Sequence, residues 1–235
     1  MAPLLRAPGI GRELMQQVAR ASLGAELIYS FVIIAISLMI YFGTKELYNL
    51  TNHKGIKYFR LAFLCFAVAF FFRSFIKFLL VSLNLDRILE LNVPALATFS
   101  LIVFMYASSM AVFYLLYSVM WKKWNGNKIV IFHSLALVIA VIALLVRSYA
   151  IILLIHVILF IFLAIVTLIS YLESKKRRKG QHLHAIYLLL FAFWILNIID
   201  LVVANALGTF QLITYLVSLV IFLAILYKVL RRLGA

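Results

Sequence analysis

Seven apolar stretches, most of them about twenty residues or longer, dominate this 235-residue chain, and about twenty such residues in a helix cross the roughly 30 Å hydrocarbon core of a bilayer. They fall at roughly residues 25–44, 59–82, 94–120, 129–146, 149–172, 185–206 and 209–229. A peptide group in hydrocarbon has no water to bond, so a spanning segment must satisfy its own backbone as a helix or in a closed barrel. These stretches are too long for barrel strands and none alternates with period two, which leaves helices. The expected architecture is therefore an all-α integral membrane fold, a seven-transmembrane helix bundle.

Composition narrows the function classes. The chain is 67% hydrophobic and 12% charged, against about half and about a quarter in soluble domains. A cytosolic α/β enzyme would expose far more apolar surface than water tolerates. The single cysteine, Cys65, lies inside an apolar stretch, so neither an intrachain disulfide nor a cysteine metal site is expected. A net charge of +15 would point to nucleic acid in a soluble protein, but here the basic residues sit in short loops between apolar runs. The expected surroundings are the lipid bilayer and not nucleic acid.

Two connections must be very tight: Arg147, Ser148 and Tyr149 between the fourth and fifth runs, and Ala206, Leu207 and Gly208 between the sixth and seventh. Lys and Arg in the loops set orientation. Fifteen lie on one side, at Lys45, Lys54, Lys57, Arg60, Lys122, Lys123, Lys128, Lys175, Lys176, Arg177, Arg178, Lys179, Lys228, Arg231 and Arg232. Five lie on the other, at Arg6, Arg12, Arg20, Arg87 and Arg147. The richer side is expected in the cytoplasm, which puts the N-terminus outside and the C-terminus inside a cell membrane crossed many times. Residues 1–24 are set apart from the transmembrane domain of 25–235. Ile10, Leu14, Met15 and Val18 share one helical face opposite Arg12, Glu13, Gln16 and Gln17, the pattern of an amphipathic helix in the interface; a simple tail is the alternative.

Charges within a span are costly and mark functional candidates. Arg73 and Lys77 lie one turn apart on the second span and Asp200 lies on the sixth. At about 1.5 Å per residue they sit about 20, 26 and 23 Å from the cytoplasmic boundary, a common level at which Asp200 should pair with Arg73 or Lys77. Asp200 reads as the only deep acid, because Glu13, Glu26, Glu46, Asp86, Glu90 and Glu173 fall in the tail or near span ends. Two bases against one acid leave a positive excess suited to an anionic ligand group. Asn197, His156 and the stripe Gln211, Thr214, Tyr215 and Ser218 converge on the same level. The group forms either an outward-facing polar pocket for a small ligand or a set of bonds that merely registers the helices. No catalytic motif accompanies it, and no spacing of His, Asp or Glu suggests a metal or a cofactor, so no enzyme activity is expected.

The stretch Gly55-Ile-Lys-Tyr-Phe-Arg-Leu-Ala-Phe, continuing through Phe70, Phe71, Phe72 and Arg73, resembles the basic first loop and aromatic second span of prokaryotic seven-helix sensor modules, including those fused to histidine kinases. The resemblance implies a receptor-like module in which Arg73 and Asp200 shape an outward ligand pocket. It also implies a cytoplasmic or membrane partner at Lys122, Lys123, Lys175, Lys176, Arg177, Arg178 and Lys179. This chain carries no effector domain up to Ala235, unlike the fused sensors. The alternative function is a small-solute or ion transporter using the same charged chamber. A rhodopsin is not expected, since the last span has only Lys228, at its end, and mid-span Gly or Pro of the kind that breaks transporter helices is scarce. Cysteine probes at Asn84 or Asn92 should react with an impermeant reagent added outside intact cells, and one at Gly180 should not; the reverse pattern would overturn the orientation.

Overall fold

Apolar residues without breakers close their backbone hydrogen bonds locally, and the secondary structure among the described residues is helical throughout. The computed structural model describes residues 10–81, 93–122, 124, 128–146, 149–176, 181–203 and 208–233; at 10–23, 76–77, 79–81, 93–94, 149, 173–174, 176, 181–183, 203, 208–209 and 232–233 it describes the backbone alone. The helices are α1 (Ile10–Gly43), α2 (Lys45–Thr51), α3 (Lys54–Val81), α4 (Val93–Met120), α5 (Lys128–Val146), α6 (Tyr149–Lys176), α7 (Gln181–Val203) and α8 (Gly208–Leu233). Among these residues, seven helical segments are long and apolar enough to cross a membrane, in the order and places read from the sequence. The chain therefore has the makings of a multi-pass membrane protein.

Helices run past the apolar stretches that signal them. The first span's helix starts at Ile10, so residues 10–24, expected as a tail or a separate interfacial helix, continue it in one piece; residues 1–9 lie outside the described residues. Gly24 alone is too weak a breaker to stop a helix between good formers such as Ala21, Leu23, Ala25, Glu26 and Leu27. The first loop is also largely helical. Thr44 Oγ1 donates to the Ile40 carbonyl at 2.7 Å where α1 ends, and α2 follows at once. Asn52 closes α2 in the left-handed conformation at φ 47°, its N–H donating to the Tyr48 carbonyl at 2.8 Å, a role asparagine tolerates. Arg60, counted above among loop charges, is buried: its Nε donates to the Tyr41 carbonyl at 3.0 Å, and its guanidinium lies 4.8 Å from the Tyr41 ring centre. The two tight connections fall at 147–148 and 204–207, between described helices.

The packing order is a closed ring. α3 lies between α1 and α4, α6 joins α4 to α7, and α8 returns from α7 to α1, while α5 leans mainly on α4 from outside. On α5 only Ala136, Ala140 and Ala143 are buried, so its bulky residues, Leu135, Leu137 and Val138 among them, face outward. An apolar exterior of this extent suits lipid and not water. Polar residues in the described part of α1 turn inward instead: Glu26, Ser30 and Ser37 lie on its buried face, and Thr44, just past its end, is buried too. Through the centre of the ring runs an aromatic layer of Phe63, Phe66 and Phe70 from α3, Phe193 from α7 and Phe222 from α8, all buried. Phe193 and Phe222 approach to 4.4 Å between ring centres, and Phe66 meets both edge-on at 6.4 and 6.3 Å. Such pairs add about 0.5–1.5 kcal/mol each beyond their buried area.

Gly55 marks a close approach of α3 to the end of α4. A Cβ there would lie 2.9 Å from the Ser118 carbonyl oxygen and 3.0 Å from Trp121 Nε1, and a backbone oxygen cannot swing aside. Gly55→Ala should therefore lower thermal stability in detergent by about 1–3 kcal/mol through overpacking. Gly24→Ala, with nothing within 4 Å of the new atom, should be neutral or stabilise by up to about 1 kcal/mol through helix propensity. Equal effects at the two positions would contradict the close α3–α4 contact.

Candidate functional site

The site is built around Arg73, which α3 presents to the interior of the ring. Its Nη2 donates to Asp200 Oδ2 on α7, and its Nη1 donates to Asn197 Oδ1 at 3.0 Å, one turn earlier on the same helix. Its Nε faces Glu26 Oε1 on α1 at 3.5 Å. Both acid side chains are 6% exposed, so these are pairs in a low-dielectric interior. Asn197 is itself held, its Nδ2 donating to the Phe193 carbonyl at 2.9 Å. The guanidinium stands 5.8 Å from the Phe70 ring centre, so the aromatic layer forms the floor of the charged group. α3 and α7 are not neighbours in the ring, and Arg73 reaches between them across the bundle.

The pairing of Asp200 with Arg73 is thus present as the depth count anticipated. The charge balance is not. Glu26, placed by the sequence reading near a span end, is buried and shares the same guanidinium. Its place near the start of the span does not expose it, because the face of α1 that carries it packs against α3 and α8. Among the described side chains two acids meet one base, so Asp200 is not the lone acid that the positive excess inferred from Arg73, Lys77 and Asp200 assumed. Lys77 follows Arg73 by one turn on α3, but its side chain lies outside the described residues. A signal for Glu26 was available: Glu26, Ser30, Ser37 and Thr44 are spaced by four and seven, one face of a helix that is otherwise apolar.

The α8 stripe joins the site through Tyr215. Its ring stacks on Tyr29 of α1 at 4.5 Å between centres, and Gln211 Nε2 donates to its hydroxyl at 2.6 Å. Tyr29 lies one turn from Glu26 and also meets Phe70 edge-on at 5.9 Å, which makes it a site residue that the sequence reading missed. Ser218, one turn beyond Tyr215, is buried as well. Thr214 is buried but spends its hydroxyl on the Phe210 carbonyl at 3.0 Å. His156 is not joined to the group. Its Nδ1 bonds the Ile152 carbonyl at 2.8 Å, Trp194 donates to its carbonyl at 3.3 Å, and its ring packs against Phe104 and Trp194. Equal depth does not imply an equal facing direction. One carboxylate oxygen of the group, Asp200 Oδ1, is buried and accepts no hydrogen bond among the described residues.

The expected partner surface is described only in part. Lys122 and Lys175 are exposed, and Lys122 Nζ lies 5.4 Å from the Trp121 ring centre. Lys123, Arg177, Arg178 and Lys179 lie outside the described residues, as does the side chain of Lys176.

A protein of Archaeoglobus fulgidus, itself uncharacterised, is 30% identical to this chain over 215 residues, which is 90% of this chain and 93% of its own length. The chain belongs to that protein's family. Likeness of that extent takes in most of the bundle and not one loop, so family membership speaks for the fold as a whole. No family model and no solved structure matches the chain.

Because one cation serves two acids, the three substitutions should rank unequally. Arg73→Gln leaves two buried carboxylates facing each other and should cost about 3–5 kcal/mol, whereas Asp200→Asn leaves Arg73 with Glu26 and should cost less. The double change should lose less than the sum of the singles, by about 0.5–3 kcal/mol. Thermal unfolding in detergent measures all three, and simple additivity would mean that the residues act independently.

Proposed function

We propose that this protein is a receptor-like membrane module, N-terminus outside and C-terminus in the cytoplasm, whose outward half binds a small ligand at the Glu26, Arg73 and Asp200 group. One observation carries the reading: two buried acids share one guanidinium, and the second carboxylate oxygen of Asp200 is buried without a hydrogen bond among the described residues. A buried carboxylate oxygen calls for a donor. A ligand group that supplies one with the opposite charge is a protonated amine, and the rings of Tyr29, Tyr215 and Phe70 surround the group. The basic loops containing Lys122 and Lys175 would carry the response to a cytoplasmic or membrane partner.

Between receptor and transporter, the aromatic layer favours the receptor. Phe66, Phe70, Phe193 and Phe222 fill the centre of the ring beneath the charges, and the described spans there are unbroken helices. A solute moving through would have to part four packed rings, whereas a ligand entering from one side need only shift helices that Arg73 ties together. Small primary and quaternary ammonium ions should raise the melting temperature of the protein in nanodiscs and should fail to do so in Asp200→Asn. In proteoliposomes the same ions, isotopically labelled, should show no uptake above protein-free vesicles. Uptake lost in Asp200→Asn would establish the transporter instead, and stabilisation by small carboxylates in place of amines would overturn the assignment of charge.

A further inference from the structure

The end of the bundle away from Arg73 holds an open cavity of about 320 Å³, lined where α1 and α2 meet and by the start of α3, the end of α4, the start of α7 and the end of α8. Phe59, Ile186 and Val229 give it apolar walls, and all three are buried. Two polar groups on the wall satisfy each other, Ser118 Oγ and the Tyr187 hydroxyl lying 2.8 Å apart. The mouth differs in character. Thr51 and His53 line it and are exposed, and the exposed Lys45, Lys54 and Lys57 each adjoin a lining residue in sequence. Glu46 is the acid on the same short helix.

Protein interiors are close-packed, with few voids larger than a water molecule, so a space of this size among packed helices is a candidate ligand site. An apolar lining gives water too few partners to fill it well. The volume sits at the lower limit of ligand sites, about 300–1,000 Å³, which admits one alkyl chain and not two. Apolar depth behind a mouth flanked in sequence by three exposed lysines is the complement of an amphiphile with a negative head.

We propose that this cavity binds a single-chain amphiphile with an anionic head group, the chain lying against Phe59, Ile186 and Val229 and the head among Lys45, Lys54 and Lys57. The assignment stands apart from the Arg73 group and does not depend on what that group binds. The site lies at the junction of α2, α3 and α7, so its occupant would bear on the end of the bundle that carries the basic loops.

The test uses the full chain in phosphatidylcholine nanodiscs and dodecanoate carrying a photoreactive diazirine at its tail. Labelling should saturate and map by mass spectrometry to Phe59, Ile186 and Val229. Val229→Phe should abolish it by filling the space. Lys54→Glu combined with Lys57→Glu, both at exposed positions, should weaken it at least about fivefold, as expected for lost charge attraction near a membrane surface, and should leave labelling by the matching alcohol unchanged. Unlabelled dodecanoate and a single-chain lysophosphatidate should both compete, the more potent one showing whether the head is a fatty carboxylate or a lipid phosphate. Labelling that never saturates and spreads over Leu135 and Val138 of α5 would overturn the site. Equal labelling by alcohol and carboxylate would overturn the anionic head, and competition by two-chain phosphatidate alone would overturn the single chain. Should Val229→Phe fail to fold, the mapping and the surface charge reversal still decide the matter.

Discussion

A guanidinium buried among apolar helices has few acceptable environments, and Arg73 occupies one that commits three helices at once. Removing a charge from water costs several kcal/mol unless it is paired and its hydrogen bonds are filled. Asp200, Asn197 and Glu26 meet that requirement from α7 and α1. α3 and α7 share no side of the ring, so the bond between them crosses the interior. A shift of any one of the three helices along its axis by a single turn, about 5.4 Å, would take its charge out of reach of the others. The register of the bundle and the chemistry of the site therefore have the same origin.

The ring has two unlike ends with an aromatic floor between them. Above the floor lie the charges, with Tyr29 and Tyr215 stacked beside them. Below it lies a mainly apolar cavity with Thr51 and His53 at its mouth. Phe66 and Phe70 sit on the same helix as Arg73, and Phe193 sits on the same helix as Asn197 and Asp200, so the charged group and the layer beneath it share two helices. A packed layer has a small number of stable arrangements and does not deform smoothly. That property lets an event at one end of a bundle be felt at the other without a channel between them.

The one-dimensional features of this protein were open to reading. Length and hydropathy marked all seven spans, and a count of 1.5 Å per residue put Arg73 and Asp200 at one depth, where they do pair. The same count put His156 there too, yet its ring turns to Phe104 and Trp194. It placed Glu26 near the start of the first span, where it is, but did not show that the side chain turns to Arg73. Arg60 misled as well: a residue counted with the loop charges is folded over Tyr41 and Tyr48.

The sequence by itself determined what each helix must satisfy alone: that its backbone closes on itself, where its apolar stretch lies, and in what order the charges follow along it. The tertiary structure decided which faces meet. Helix azimuth is a collective result of side-chain packing, in which Gly55 lets α3 approach α4 and Ala136, Ala140 and Ala143 hold α5 at the edge. Only once that packing is set does Glu26 join Arg73, does Tyr29 meet Tyr215, and does a space remain between Phe59, Ile186 and Val229. Residues far apart in the chain make each of these contacts, and no periodicity within one helix encodes the direction in which its neighbour will lie.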